Sequence, residues 1–215
     1  MSLVAARSNL LEPLRQFVKI HRKPTWGTCA GLILLAESAN RTKKGGQDLI
    51  GGLDIRVNRN HFGRQVESFE ANLDLPFLGG VDDSRAMANA PFKAIFIRAP
   101  VVEKILPTMP GEQVSKAAVN ETVVAPSRAP ADDTAKIATC QDVEVMATLS
   151  GRAALPNKVA SSHNEEKIGD IIAVRQGNCF GTSFHPELTG DARIHVWWLE
   201  QVKTAIEGRS IADLT

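Results

Sequence analysis

The sequence predicts an α/β domain, and three observations predict it. Residues 24–39 pass from an extended stretch, through a cysteine flanked by glycines, into an apolar helical pattern. Residues 48–58, 64–73, 94–98, 142–149 and 171–175 read as strands by alternation or by short apolar runs. A length of 215 residues with 43% hydrophobic content suffices to bury one sizeable core, so a single domain over 1–215 is expected.

Taken in order, Asn9 ahead of Leu10, Leu11, Glu12 and Pro13 predicts a helix start, with Asn9 as cap, Glu12 as its reciprocal partner and Pro13 in the first turn. Leu14, Phe17 and Val18 continue it at helical spacing toward His21. A strand over 24–28 then turns sharply into a helix over 30–39, carried by Leu32, Ile33, Leu35 and Ala36. The strands at 48–58 and 64–73 are expected to pair across the turn residues 58–63. Ala99-Pro100 stops the strand at 94–98, because proline displaces its predecessor from helix and offers no ladder donor. Residues 107–136, rich in Pro, Ala, Ser, Thr and charge, hold no period and are expected to be a loop insertion, as are residues 150–170. Gly177-Asn178 predicts a hairpin turn into 179–184, and a helix over 191–206 closes the chain.

Composition narrows the partners. With 25 basic and 24 acidic residues, no global field draws the chain to nucleic acid or to an anionic membrane. Aromatic content of 5% with no tyrosine argues against base-stacking platforms. No apolar run reaches the roughly 18 residues of a membrane span, and Met-Ser-Leu-Val-Ala-Ala-Arg has no basic region ahead of a hydrophobic one. Three cysteines, at 29, 140 and 179, lack the paired spacings of a zinc site or a disulfide framework. A reducing, cytoplasmic setting is expected, with no metal.

Two short constellations carry chemistry. Gly27-Thr28-Cys29-Ala30-Gly31 places Cys29 on a strand-to-helix elbow, a strained turn that presents a nucleophile above a sheet. The helix start after it is expected to lower the thiol pKa. A cysteine without such context is more often a packing residue. Cys179 is the internal comparison: Gly177-Asn178-Cys179-Phe180-Gly181 repeats the pattern but leads into no helix, so it reads as packing, and Cys140 has no supporting motif. The second constellation is His185-Pro186-Glu187, in which an extended segment would put both side chains on one side. Glu187 can then orient His185, which takes the thiol proton and delivers it to a leaving amine. Arginines in 58–65 and at the end of the 94–98 strand offer forks suited to an α-carboxylate, although surface arginines are commonly just solvated.

Four stretches carry a resemblance: residues 24–36, residues 51–65 through Asn58-Arg59-Asn60-His61-Phe62-Gly63-Arg64-Gln65, Phe96-Ile97-Arg98-Ala99-Pro100, and Gly181-Thr182-Ser183-Phe184-His185-Pro186-Glu187-Leu188. Through them the chain resembles the glutaminase subunits of pyridoxal 5'-phosphate synthase, class I glutamine amidotransferases. The resemblance implies a three-layer, flavodoxin-like α/β fold and a triad of Cys29, His185 and Glu187. It also implies an oxyanion donor at the Ala30 amide, glutamine contacts from Arg59, Ile97 and Arg98, and no cofactor. L-glutamine would be hydrolysed to glutamate and ammonia. The ammonia would pass, in a hetero-oligomer, to a barrel-shaped synthase subunit building the vitamin B6 cofactor.

The chain departs from that family in two ways. It lacks the Leu-Gln-Gly strand and the Gly-Gly-Glu-Ser loop, and Met1-Ser2-Leu3 resembles the helix after that loop. The expectation is therefore a fold lacking its first strands, with apolar neighbours exposed and with little ammonia release, because one oxyanion donor is missing. The insertions resemble fungal rather than compact bacterial members. Two other readings are a noncatalytic interaction subunit, and a class I amidotransferase of another pathway such as histidine biosynthesis; residues 59–65 speak against the latter.

Overall fold

The computed structural model describes residues 2–40, 47–59, 68–79, 90–107, 122–149 and 169–212, with side chains through residue 208 of the last helix. The chain opens with helix α1 (Ser2–Arg7), which ends in a left-handed turn: Asn9 has φ 54°, Leu10 N–H donates to Ala5 O at 2.8 Å and Asn9 N–H to Ala6 O at 3.2 Å. Asn9 thus terminates α1 rather than capping the next helix, a conformation asparagine tolerates better than most residues. Helix α2 (Leu11–Arg15) has Leu10 at its cap position without a side-chain bond, and it continues as a π-helical turn (Gln16–Ile20) to His21. Glu12 is not its capping partner; its carboxylate instead holds the Arg128 guanidinium at 2.7 and 3.0 Å.

Strand β1 (Thr25–Thr28) leads through Cys29 into α3 (Ala30–Leu35). The helix expected to reach residue 39 stops there, and Ala36–Asn40 is strand β2. Ala36 has φ −67° and ψ 142°, and both Ala36 and Ala39 are fully buried. Partner strands and burial on the sheet override alanine's preference for helix. Strand β3 (Leu53–Asn58) begins later than residue 48, because Gly51 and Gly52 adopt φ 84° and 117° and break the alternation. Its burial then alternates residue by residue, as a one-sided strand should.

The expected pairing of 48–58 with 64–73 does not form. Strand β4 (Ser68–Leu73) pairs with β5 (Phe92–Ile97) in a separate two-stranded sheet, antiparallel, with Ser68 opposite Ile97 and Leu73 opposite Phe92. Residues 60–67, which include most of the expected turn at 58–63, lie outside the described residues. After Pro100 a strand missed in the sequence, β6 (Val101–Ile105), returns beside β3. Part of the expected insertion at 107–136 is regular. Strand β7 (Thr122–Val124) pairs with β2, and α4 (Asp133–Thr139) is capped by Asp132 accepting from Ala135 N–H at 2.7 Å. One partner strand and one cap supply the order that periodicity did not show. The other expected insertion, 150–170, lies almost wholly outside the described residues.

Strands β8 (Glu144–Leu149), β9 (Asp170–Gln176) and β10 (Cys179–Thr182) and the closing helix α5 (Arg193–Ala212) fall where expected, with Gly177-Asn178 as the hairpin turn. Among the described residues the main sheet is mixed, in the order β1-β10-β9-β6-β3-β2-β7, with β8 also against β9. β1 pairs in parallel with β10 and stands at one end of that order. One face is sealed by α3 and the π-helical turn through Val18, Leu32, Leu35, Leu53, Ile55 and Val57. The other packs α5 and the β4–β5 sheet around Phe180, Phe96, Phe184, Ile194 and Trp197. Full burial of side chains of this size contributes about 1.5–3 kcal/mol each. On α1 and at the cap of α2 the apolar side chains of Leu3, Val4 and Leu10 remain exposed.

A polar floor lies under the sheet. Gln176, 1% exposed, accepts from Asp54 N–H and donates to the Asp54 carboxylate and to Gln141 O, tying β9 to β3 and to the end of α4. Beside it, Lys19 and Glu37 form a buried ion pair, with Nζ 2.9 Å from each carboxylate oxygen. Glu37 also accepts from Gly52 N–H at 2.8 Å, and Lys19 donates to Pro126 O at 2.7 Å. Burial pushes the Lys19 amine down and the Glu37 carboxyl up, each opposed by the facing charge.

Candidate active site

Cys29 occupies the elbow that the sequence predicted, with φ 48° and ψ −103°, a conformation an L-residue rarely holds. Two features make the turn possible. Cys29 N–H donates to Thr182 O at 2.7 Å, which anchors the elbow to the end of β10. Gly27 lets the first turn of α3 press on β1, since a Cβ there would sit 2.5 Å from the carbonyl carbon of Gly31.

The thiol of Cys29 is half-buried and lies 3.7 Å from Ile97 O. Its pKa is raised, contrary to the sequence expectation. Burial is the largest cause, the Ala30 amide pulls the other way, and the Glu187 charge adds to the rise. One short helix start, α3 having 6 residues, does not offset desolvation. A thiol raised in this way would need a base to act as a thiolate near neutrality.

His185 is placed by its own backbone, whose N–H donates to Ile95 O at 2.8 Å. Ile95 and Ile97 are two residues apart on β5, about 7 Å along a strand. The same strand therefore receives the thiol at one carbonyl and the histidine backbone at the next on that edge. Glu187 Oε1 lies 2.7 Å from His185 Nδ1. The reason differs from the one expected: Pro186–Leu188 is a 3₁₀ turn, not an extended segment, and it folds Glu187 back over the ring. Thr189 N–H and its hydroxyl, at 3.1 and 2.9 Å from Pro186 O, brace that turn. With Nδ1 engaged by Glu187, Nε2 is the ring nitrogen left for a further partner.

Cys179 and Cys140 stand apart. Cys179 is fully buried in the face lined by α3, where burial raises its pKa, and Cys140 is exposed at the end of α4. Of the expected glutamine contacts, Ile97 ends β5 with its carbonyl at the thiol, and Arg98 follows it, exposed with φ 48°. Arg59 is 8% exposed just beyond β3, and burial pulls its pKa down. Its Nη1 donates to Gln47 Oε1 at 2.8 Å, and its backbone N–H donates to Asn40 Oδ1 at 2.8 Å. Sequence reasoning named neither Gln47 nor Asn40, because neither sits in a motif. Asn40 meets Arg59 because β2 lies beside β3, and Gln47 meets it from the segment that leads into β3.

A cysteine elbow and a carboxylate-held histidine on a mixed sheet between helices is the layout of a class I glutamine amidotransferase. The SNO glutamine amidotransferase family matches residues 1–131 and 132–204, and the chain belongs to that family. It is 37% identical over 216 residues to an Arabidopsis thaliana protein named "Probable pyridoxal 5'-phosphate synthase subunit PDX2", covering 98% of this chain and 69% of that one. A pyridoxal 5'-phosphate synthase subunit PdxT from Herpetosiphon aurantiacus is 37% identical over 193 residues, covering 90% and 70%. A crystal structure of a glutamine amidotransferase superposes with a TM-score of 0.55 at 28% identity, covering 94% of this chain and 72% of the other. Among the described residues no helix is long and apolar enough to cross a membrane.

Proposed function

We propose that the chain is a glutaminase that supplies ammonia to a pyridoxal 5'-phosphate synthase, with Cys29 as nucleophile, His185 as base and Glu187 as the residue that orients it. The observation that supports the reading is that β5 receives both the Cys29 thiol, at Ile97 O, and the His185 backbone, at Ile95 O, with Glu187 on His185 Nδ1. The reaction follows from those positions. His185 Nε2 takes the thiol proton, the thiolate attacks the side-chain amide carbon of glutamine, and the Ala30 N–H donates to the oxyanion. The proton on His185 goes to the leaving ammonia, and water then opens the thioester to glutamate. Arg59, Ile97 and Arg98 contact the glutamine that is being cleaved.

The chain acts as one glutaminase domain, with segments near 107–136 and 150–170 added to it, in the cytoplasm and in a hetero-oligomer with a barrel-fold synthase. The test is ammonia and glutamate release from L-glutamine with that synthase present. Equal amounts of both, dependent on Cys29, are expected, at a slow rate if Ala30 is the sole oxyanion donor. A chain that binds the synthase yet yields neither product would instead be a noncatalytic subunit.

Glu187→Gln is expected to lower kcat roughly a hundredfold or more while leaving KM for glutamine within about threefold, since Glu187 touches the base and not the substrate. A rise in KM at unchanged kcat would move Glu187 into the binding site.

A further inference from the structure

Arg59 is a buried cation with its partners unevenly distributed. Both terminal nitrogens turn to a single residue, Nη1 to Gln47 Oε1 at 2.8 Å and Nη2 to Gln47 O at 3.5 Å. Nε is sealed from solvent and has no hydrogen-bond partner among the described residues. The backbone is held as firmly as the side chain, because Asn40 Oδ1 accepts the Arg59 N–H at 2.8 Å and Asn40 Nδ2 reaches Asn58 Oδ1 at 3.4 Å. A guanidinium carries five N–H donors in a rigid plane, so occupying its tip aims its remaining edge. A buried donor left without an acceptor is costly, and the acceptor that suits an arginine edge is a carboxylate.

We propose that Gln47 is a positioning residue for substrate: it clamps the tip of Arg59 and turns the Nε edge toward the α-carboxylate of glutamine. Gln47 itself touches no reacting atom. The assignment rests on the reading of Arg59 as a glutamine contact and adds the residue that sets its orientation. It also makes a chemical distinction. Ligands with an α-carboxylate depend on Gln47, whereas an amide of the same length without one does not.

The experiment measures equilibrium binding in the full chain carrying Cys29→Ala, so that no ligand is consumed. The probes are L-glutamine and 4-aminobutanamide, which is glutamine without its carboxylate. Gln47→Glu keeps an acceptor at Arg59 but adds a competing carboxylate; Gln47→Met removes the side-chain acceptor at similar length. L-glutamine affinity is expected to fall about tenfold or more with either variant, through loss of the clamp in Gln47→Met and through the competing charge in Gln47→Glu, while affinity for 4-aminobutanamide, read by ligand-observed NMR, stays constant. Thermal unfolding of each variant shows whether the fold is intact. Unchanged glutamine affinity in folded Gln47→Met overturns the clamp, and so does an equal loss for both ligands. If Arg59→Ala binds glutamine as tightly as the parent, or the parent binds none, the reading of Arg59 falls and the clamp with it.

Discussion

A chain carrying Cys29→Ala releases no ammonia above background, while Cys179→Ala and Cys140→Ala keep most of the parent rate. The three cysteines differ in what surrounds them. Only Cys29 combines an elbow with φ 48°, an adjacent backbone amide aimed at its sulfur, and a histidine anchored on the same strand. Loss of a nucleophile costs on the order of a millionfold in kcat in hydrolases that work through a covalent intermediate, so even a slow parent should drop below detection. Cys179 packs against the α3 face, and its truncation is expected to cost about 1 kcal/mol of stability. Continuous ammonia assays on the three variants, with circular dichroism to confirm folding, decide the matter. Comparable loss from a folded Cys179→Ala would sink the assignment.

Lys19→Met loses about 3–5 kcal/mol of unfolding free energy at neutral pH, because it leaves the Glu37 carboxylate buried without its cation. The double variant Lys19→Met with Glu37→Gln recovers most of that loss, since the pair itself contributes little net stability once its desolvation is counted. The single variant also acquires a pH signature. Burial already raises the Glu37 pKa, and removing Lys19 removes its largest opposing influence. The native state then holds a proton that the unfolded chain, with a carboxyl pKa of about 4.3, gives up. Stability of the variant therefore falls as pH rises above about 4.3, by up to about 1.4 kcal/mol per pH unit until the native carboxyl also ionises. Urea unfolding at pH 5 and pH 8 tests this; a variant as stable as the parent at pH 8 refutes it.

The comparison between sequence and structure divides along physical lines. The elbow, the His185-Pro186-Glu187 cluster, the 177–178 hairpin and the closing helix were all legible, because each depends on residues adjacent in sequence. What was misread depends on distant partners. Ala36–Asn40 looked helical by composition and became a strand through its pairing with β3 and β7. β4 was assigned to its sequence neighbour and instead joined β5. At the site, the thiol pKa was misjudged in direction because burial at residue 29 is a tertiary quantity, whereas the helix start is a local one. Gln47 carried no sequence signal: its meaning comes from standing against Arg59, which lies 12 residues away along the chain.

The backbone at Cys29 also bears on how this residue could persist over generations. A side-chain-bearing residue at φ 48° and ψ −103° costs roughly 1–3 kcal/mol relative to a relaxed backbone. Glycine would relieve that strain at an entropic cost of about 0.4–1 kcal/mol through the unfolded chain. For folding alone, then, position 29 favours glycine. A lineage that no longer needed the thiol is expected to drift toward it under selection for stability.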